Sequence, residues 1–367
     1  MDEQERAEFL PKRKRSWKKI VAFLVFIAIN AAVIIVTATS EFGNSKEAAE
    51  LSEVKLNWWL LIPAVMCFVV AITLDIYRYV LMIKKMSEKK AGVKTRRKDI
   101  WKVARRTVLL GKYYDSITPA AIGGQPFQIY YMRKNSGLSR GESVSVPLVG
   151  MIANQIGFLI IAVLFFLLSG IAYTKPALMV TAWFGLLFFA FWPVMVAGVS
   201  FFPKATTNFL KWIVKILARI KIVKNREKAL AAIEREMTGY SESVKVILKE
   251  RGLFLKVVVL SVAYNALIMS IPYFVLTAFG GDVGFFECFT LSVAVTSAVY
   301  FIPTPGNAGA AEGTFFLVFS ALSTGYVFWA MLVWRFFSYY IYIIMGPIIY
   351  LSMQIEKKRL GKMPTKR

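Results

Sequence analysis

The chain has 367 residues, of which 57% are hydrophobic, 15% aromatic and 19% charged, and its formal net charge is +24. Average soluble domains are about 45–50% apolar and about 25% charged, so this composition excludes an ordinary soluble domain and indicates a polytopic membrane protein. The chain has no histidine, which excludes Ser-His or Cys-His catalysis and most zinc sites. We expect neither a metal site nor a cofactor.

The basic residues gather in short segments beside the hydrophobic runs. This is the positive-inside pattern of membrane proteins, and attraction to anionic lipid is its second consequence. Nucleic acid is therefore not an expected partner, although a large positive charge alone is compatible with one.

The N-terminal part of the chain predicts two membrane spans. A basic cytoplasmic segment, 1–19, precedes the first long apolar run, 20–39. That run has about 20 residues, more than the ~7–15 of a signal peptide's apolar region, so we expect a retained span. An acidic outer loop then leads to the second span, 58–83.

Two opposite charges, Asp75 and Arg78, lie near the cytoplasmic end of the second predicted span. Residues three apart share one face of a helix, so these side chains are placed to neutralise each other. An interfacial ion pair and the lining of a pathway are both compatible with this position.

The segment 113–134 is apolar overall but is interrupted by an aspartate, glycines and prolines, and the basic segment 84–112 precedes it. Further basic residues follow it. With both flanks in the cytoplasm, the segment must enter and return, which predicts a re-entrant hairpin that opens to the cytoplasm. Because broken helices are tolerated only away from lipid, an amphipathic surface hairpin is the alternative.

Spans three and four are predicted at 144–169 and 178–202. The amides Asn154, Gln155 and, further along, Asn265 are expected to bond neighbouring helices.

Residues 203–256 form the sizeable extramembrane segment predicted for this chain, on the cytoplasmic side. Apolar residues recur at helical spacing between lysines from Phe209 to Ile220, which predicts a basic amphipathic helix on an anionic membrane surface. A second helix is predicted at 226–248. About fifty residues in two helices cannot house a catalytic domain.

The C-terminal third predicts a span at 255–279, an interrupted apolar segment at 285–323, a last span at 326–353 and a basic tail, 356–367. For both termini to be cytoplasmic, 285–323 must cross an even number of times, which predicts a second hairpin that opens to the outside. The stretch IPTPGNAGAAEGTFF breaks this hairpin.

The two breaks share a pattern. Each has a Thr-Pro pair, a glycine at the same spacing and then an amide or acid: Thr118, Pro119, Gly123 and Gln125 in the first, and Thr304, Pro305, Gly309 and Glu312 in the second. Interrupted segments in corresponding positions of two halves point to the site of an inverted-repeat transporter. We predict an all-α polytopic membrane protein with about six full spans and two oppositely oriented re-entrant hairpins in an inverted repeat. These form one transmembrane domain, 20–355.

The breaks also predict chemistry. The half-helices after them would direct N-terminal N–H groups toward a common region, and such ends attract anions, phosphate above all. Arg335 is either a phosphate ligand or the partner of Glu312 in a buried pair. With histidine absent, the candidate proton-coupling groups are Asp75, Asp115 and Glu312. The candidate substrate-binding residues are Asp75, Arg78, Asp115, Thr118, Pro119, Gly123, Gly124, Gln125, Arg133, Thr304, Pro305, Gly306, Asn307, Gly309, Glu312 and Arg335.

The stretches TPAAIGGQPFQIYYMRK and PTPGNAGAAEGTFF, followed by a terminal span and a basic tail, resemble the flippase-like transmembrane family of bacteria. That family includes the N-terminal half of lysylphosphatidylglycerol synthase, the multiple peptide resistance factor. The resemblance covers about residues 15–355 and implies an inverted-repeat fold in the bacterial cell membrane. It also implies movement of lipids, notably aminoacylated phosphatidylglycerol, between leaflets. Family members commonly have Gly-Gly-Glu-Pro where this chain has Gln125, and Pro-Gly-Gly where it has Asn307.

Three functional hypotheses follow. The first is a lipid flippase or transporter, whose partners are anionic or aminoacylated membrane phospholipids and which is compatible with an oligomer. The second is an enzyme, the membrane part of a phosphatidylglycerol lysyltransferase that uses lysyl-tRNA; we expect it less, because the residues give no tRNA site and no soluble catalytic domain. The third is a membrane scaffold whose basic segment 203–256 recruits a partner.

Overall fold

A computed structural model describes residues 56–88, 97–118, 123–168, 176–219, 250–300, 304–320 and 326–360, together with positions 35, 227, 230, 231 and 302. The elements of these ranges are all helical. In chain order they are α1 (Trp58–Glu88), α2 (Arg97–Ile117), α3 (Gly124–Asn135), α4 (Arg140–Leu168), α5 (Pro176–Phe201), α6 (Pro203–Arg219), α7 (Arg251–Ala278), α8 (Phe285–Val299), α9 (Ala310–Ser320), α10 (Val327–Arg335), a π-helical turn (Phe336–Tyr340) and α11 (Ile341–Leu360). The predicted span 20–39 and the predicted helix 226–248 lie outside the described residues, apart from the single positions.

Four helical stretches in the described ranges are long and apolar enough to cross a membrane: Trp58–Glu88, Gly141–Leu168, Arg251–Ala278 and Val327–Glu356. The last of these joins α10, the π-helical turn and α11 into one element. Over the residues that the structure describes, the prediction of an all-helical multi-pass membrane protein is therefore confirmed.

One predicted boundary is wrong. The sequence separates a basic segment ending at residue 112 from a hairpin starting at 113, whereas α2 runs without interruption from Arg97 to Ile117. Its buried residues Ile100, Val103, Ala104 and Val108 recur at helical spacing, so one apolar face continues through the basic segment. The charge pattern indicates a side of the membrane and not the end of a helix.

Helices α1 and α7 are antiparallel and form the most extensive helix–helix interface in the described part of the chain. At one end, the backbone N–H of Asn57 donates to the carbonyl oxygen of Ala278 at 2.9 Å. At the other, Lys85 Nζ lies 3.2 Å from Glu250 Oε1. Contacts at both ends hold the two helices side by side over their whole length.

Helices α2 and α3 form a hairpin. Asp115 near the end of α2 bonds Gly124 at the start of α3, and one turn earlier Gln128 packs so closely on Gly111 that a side chain there would overlap it. Helix α11 runs antiparallel along α2, because Glu356 near its end pairs with Lys102 and Arg106 near the start of α2, whereas Gly346 near its start packs on Tyr113 near the end of α2.

The buried apolar residues form two clusters. The larger surrounds α8, α9 and α10, and the smaller surrounds α2 and α3. Helices α1, α4 and α7 each contribute one half of their length to the larger cluster and the other half to the smaller one. In α1, for example, Phe68 belongs to the larger cluster and Ile76 to the smaller. Between those halves the same three helices carry polar residues that are buried or, for Asn154, partly buried: Asp75, Arg78, Asn154, Gln155, Ser261 and Asn265. A polar layer therefore separates the two apolar cores.

Candidate functional site

The second break is a tight turn built on left-handed backbone. Gly306, Asn307 and Gly309 have φ values of 57°, 56° and 89°, a region that L side chains rarely adopt. The N–H groups of Asn307 and Ala308 close the turn on the carbonyls of Thr304 and Pro305, at 3.1 and 3.0 Å. Gly306 has a second constraint, because a Cβ there would overlap the ring of Tyr339.

Glu312 and Arg335 fasten this turn to the last span. Arg335 Nε donates to Glu312 Oε1 at 2.6 Å, and Glu312 Oε2 accepts the backbone N–H of Gly309 at 2.7 Å. Arg335 Nη2 also donates to the carbonyl oxygen of Gly306 at 3.3 Å, and its guanidinium lies 4.5 Å from the ring centroid of Tyr339. The pair is only 2% and 4% exposed, so each charge depends on the other for compensation.

The first break is closed by two side chains, one in the last turn of α2 and one directly after it. Thr118 Oγ1 accepts the N–H of Gly123 at 2.9 Å, and Asp115 Oδ1 accepts the N–H of Gly124 at 2.8 Å. A Cβ on Gly124 would overlap the Asp115 carboxylate. Pro119, a predicted site residue, lies outside the described residues.

The ends of the half-helices α3 and α9 already hold anions. Those anions are Asp115 and Glu312, carboxylates of the chain itself, on the N–H groups of Gly124 and Gly309. The partial positive charge of a helix N-terminus stabilises such a carboxylate. An external anion at either end would therefore have to displace an internal one.

A cationic cluster lies between the first hairpin and α1. Arg78 donates to Asp75 in the same helix and to Ser261 in α7, while Lys112 Nζ lies 3.2 Å from Asp75 Oδ2. Lys112 also donates to the hydroxyl of Tyr264 at 2.7 Å. Asp75 thus pairs with two cations, Arg78 and Lys112, and the charges of these three residues sum to +1.

Amides extend this cluster into the polar layer. Arg78 Nη1 lies 3.5 Å from Asn154 Oδ1, which also accepts from Asn265 Nδ2 at 3.2 Å. Asn154 and Asn265 bond across helices, as their sequence positions predict, and they also fix the position of Arg78.

Two cavities meet at the second break. The first, of about 250 Å³, lies between the end of α2, α7 and the π-helical turn, and its lining includes Lys112, Asp115 and Ser116. The second, of about 220 Å³, is more enclosed by apolar residues and includes Arg335. Both are lined by Ile268, Gly306, Asn307, Trp334 and Ser338.

The two breaks approach each other across the first cavity. The Cβ position of Gly306 lies 3.2 Å from the carbonyl oxygen of Ser116, and both residues line the cavity. The structure therefore brings Asp115, Gly306 and Asn307 to one place.

Other predicted site residues lie elsewhere. Arg133 is exposed on α3 and lines neither cavity. Gln125 lines neither of them, and its buried Oε1 bonds no described residue. Asp75 and Arg78 line neither cavity; Asp75 contacts Lys112, and the Arg78 guanidinium lies 5.4 Å from the ring centroid of Tyr264, both of which line the first cavity.

Sequence reasoning missed Lys112, Tyr264 and Ser338. The charge pattern places Lys112 with the cytoplasmic basic residues, although it directly follows the apolar run VLLG. Its position after that run, apart from the other basic residues, is the sequence feature that could have identified it. Tyr264 gave no signal within the apolar run of α7. Ser338 lies in a π-helical turn, a feature that often marks functional sites, but nothing in FFSYY distinguishes such a turn from an α-helix.

The chain was also compared with known proteins. It matches the protein family described as "Lysylphosphatidylglycerol synthase TM region" over residues 19–346. No curated protein and no solved structure matches it. The matched range includes both breaks, both cavities and the cationic cluster.

Proposed function

This chain belongs to the lysylphosphatidylglycerol synthase TM-region family, and we propose that it moves a phospholipid between the two leaflets of a bacterial cell membrane. The headgroup is anionic or aminoacylated, as in lysyl-phosphatidylglycerol. It occupies the cavities at the second break while the acyl chains remain in the bilayer.

The observation that carries this proposal is the pair of cavities that meet at Gly306, Asn307, Trp334 and Ser338. Ligand sites are concave, largely apolar and supplied with a few polar groups. The first cavity offers a cation and a carboxylate among aromatic residues, which suits a headgroup that combines phosphate with an ammonium group. The second cavity continues on the far side of the same turn.

We further propose that the helices form an inverted repeat, in which α1, the α2–α3 hairpin and α4 correspond to α7, the α8–α9 pair and α10–α11. Three features support it. The first helices of the two units, α1 and α7, are antiparallel. In each unit the first helix packs on the next one, and the second hairpin helix packs on the span that follows. The last element of each unit packs on the first hairpin helix of the other, as α11 does on α2 and α4 on α8.

In this arrangement both hairpins are re-entrant and enter from opposite sides. The polar layer and the breaks then lie near the middle of the membrane, where inverted-repeat transporters place their sites. Charged residues at that depth are expected to pair with one another, as Glu312 and Arg335 do.

Reconstitution tests the proposal. Vesicles that contain lysyl-phosphatidylglycerol in both leaflets are treated with a membrane-impermeant amine reagent, with and without an imposed proton gradient. Without protein only the outer pool reacts, whereas the functional protein should expose the inner pool. Replacing Ser338 with leucine fills the junction of the cavities and should abolish this exposure.

The matched control is Phe336→Leu, because Phe336 lies in the same π-helical turn but is 42% exposed. It should move lipid at the wild-type rate. If the wild-type protein leaves the inner pool unreacted under both conditions, or if Ser338→Leu moves lipid normally, the proposal is wrong. Adding lysyl-tRNA and phosphatidylglycerol to the same protein tests the enzyme hypothesis, which predicts new lysyl-lipid.

A further inference from the structure

We propose that Lys112 is the phosphate-binding residue of the first cavity, and that it exchanges Asp75 for a phosphate oxygen when ligand enters. The ligand class is a phosphate anion, either the phosphodiester of a lipid headgroup or free inorganic phosphate. This inference rests on the proposed function, since it names the contact that the headgroup makes.

Lys112 is the positively charged residue in the lining of the first cavity. Arg335 at the second break is bound to Glu312 and is 4% exposed, and Arg78 in the cationic cluster is bound to Asp75 and is 2% exposed. The Lys112 side chain is 21% exposed and lines the cavity. A ligand in this cavity therefore meets the ammonium group before it meets either guanidinium.

The ammonium group has donor capacity left. It carries three N–H donors, of which the described contacts use one on Tyr264 and one on Asp75. Its position is held by aromatic rings, because Nζ lies 4.9 Å from the ring centroid of Tyr264 and 5.5 Å from that of Tyr342. The contact with the Tyr342 ring uses no N–H donor, and that with Tyr264 uses only the one already counted.

A second observation in the same cavity points to a ligand. Ser338 lines it, and the buried Ser338 Oγ has no hydrogen-bond partner among the described residues. Buried polar atoms normally have a partner. A phosphate oxygen in the cavity would give this hydroxyl one, alongside the contact with Lys112.

The local charges leave Lys112 able to pair with an anion. Asp75, Arg78 and Lys112 sum to +1, and Asp115, the other charged residue of the cavity lining, brings the formal total to zero. The Asp115 carboxylate is held by the N–H of Gly124 at the N-terminus of α3, whose partial positive charge stabilises it. Asp75 is held by Arg78, so a phosphate oxygen can take the place of Asp75 on Lys112.

The exchange leaves no carboxylate unpaired. When Lys112 turns to the ligand, Asp75 keeps its bond to Arg78, which Ser261 also holds. Removing the only partner of a buried charge is strongly destabilising, but Asp75 retains one. Lysine is suited to this movement, because its charge is compact and its four-carbon stem is flexible.

Binding of short-chain lipids to the purified full chain tests the inference. The probes are dihexanoyl phosphatidylglycerol, dihexanoyl glycerol, which lacks the phosphate, and inorganic phosphate. The variants are Lys112→Met, Lys112→Arg and Ser338→Ala. The control is Lys84→Met, because the Lys84 side chain is 63% exposed on α1.

We expect the wild type to bind the phospholipid at least tenfold more tightly than the phosphate-free lipid, a difference of about 1.4 kcal/mol. Lys112→Met should lose that preference, Ser338→Ala should weaken it, and both Lys112→Arg and Lys84→Met should retain it. Inorganic phosphate that competes in the wild type but not in Lys112→Met shows that the site accepts the free anion. Phosphate that does not compete assigns the site to the lipid.

Equal binding of the two lipids by the wild type, or an unchanged preference in Lys112→Met, overturns the inference. If Lys112→Met does not fold, Ser338→Ala tests the inference in its place. An unchanged preference of Ser338→Ala for the phospholipid over the phosphate-free lipid then overturns it. Measuring lipid movement in the same proteins separates the two proposals. A wild type that moves lipid while Lys112→Met binds normally contradicts only the Lys112 assignment, whereas phosphate-dependent binding without movement contradicts only the proposed function.

Discussion

Arg335 reaches back 23 positions along the chain to donate to Glu312 at 2.6 Å. The other oxygen of Glu312 accepts the N–H of Gly309, and the guanidinium also reaches the carbonyl of Gly306. One ion pair thereby ties both Gly306 and Gly309, residues of the turn with left-handed backbone, to the last span. The charges in this break hold the fold, and the cation in the lining of the first cavity is Lys112.

Breaking this pair by changing one partner should destabilise the protein strongly. Arg335→Met leaves Glu312 buried with an uncompensated charge, which typically costs about 3–5 kcal/mol. The double variant Arg335→Met, Glu312→Gln removes both charges and should recover part of that loss. The midpoint of thermal unfolding in detergent measures both changes.

The control for this comparison is Lys84→Ala. Lys84 pairs with Glu88 at 3.7 Å, and both side chains are more than half exposed, so the pair is worth about 0–1 kcal/mol. A shift of the unfolding midpoint as large as that of Arg335→Met would show that the method does not resolve burial. A double variant that unfolds as early as Arg335→Met would contradict the charge argument.

Much of this architecture follows from the sequence. The spans α1, α4 and α7 lie close to their predicted positions because an apolar run of sufficient length has few alternatives in a membrane protein. The pairing of Asp75 with Arg78 follows from helical spacing alone. Both depend only on residues that are near one another in sequence.

The parts that sequence reasoning missed depend on tertiary contacts. Lys112 lies 37 positions from Asp75 and 152 from Tyr264, so no local pattern joins them. The carboxylate on the α3 N-terminus comes from the preceding helix through the geometry of the first break. The positive-inside rule assigns a whole segment to one side of the membrane, and it does not identify which face of α2 packs against the other helices.

Replacing Gly306 with alanine should cost more than a left-handed backbone alone. Gly306 and Gly280 have φ values of 57° and 79°, so alanine at either carries about 1–2 kcal/mol of backbone strain. At Gly306 the new Cβ also overlaps Tyr339, while at Gly280 it meets nothing within 4 Å. Overpacking adds about 1–3 kcal/mol.

Thermal unfolding of the two glycine variants measures that difference. We expect Gly306→Ala to unfold at the lower temperature and Gly280→Ala to lie between it and the wild type. Equal midpoints for the two variants would mean that the Tyr339 ring moves aside without cost.

Removing the carboxylate of Asp115 should loosen the start of α3. Asp115→Ala leaves the N–H of Gly124 without its acceptor, and loss of such a cap costs about 1 kcal/mol. Asp115→Asn keeps an acceptor oxygen and should retain most of the protection. Hydrogen exchange of peptides that cover 123–130 reports this directly.

The start of α4 provides an internal control for the exchange experiment. There Ser139 and Glu142 cap each other's backbone N–H groups at 2.7 and 3.3 Å, independently of Asp115. Faster exchange confined to α3 supports the cap, whereas faster exchange in both helices would indicate general unfolding.

The closest approach between α5 and α8 should tolerate no side chain at Gly185. A Cβ on Gly185 would overlap the carbonyl oxygen of Ser297, whereas Gly198 in the same helix has nothing within 4 Å of its Cβ position. Small residues let membrane helices pack backbone to backbone, so Gly185→Ala must push α5 away from α8 at a cost of about 1–3 kcal/mol. Gly198→Ala carries the same propensity change without the contact and should unfold at or above the wild-type temperature.

Because α8 leads into the second break, Gly185→Ala should also slow lipid movement in vesicles. A Gly185→Ala protein with wild-type stability and rate would show that the interface of α5 with α8 does not support the site.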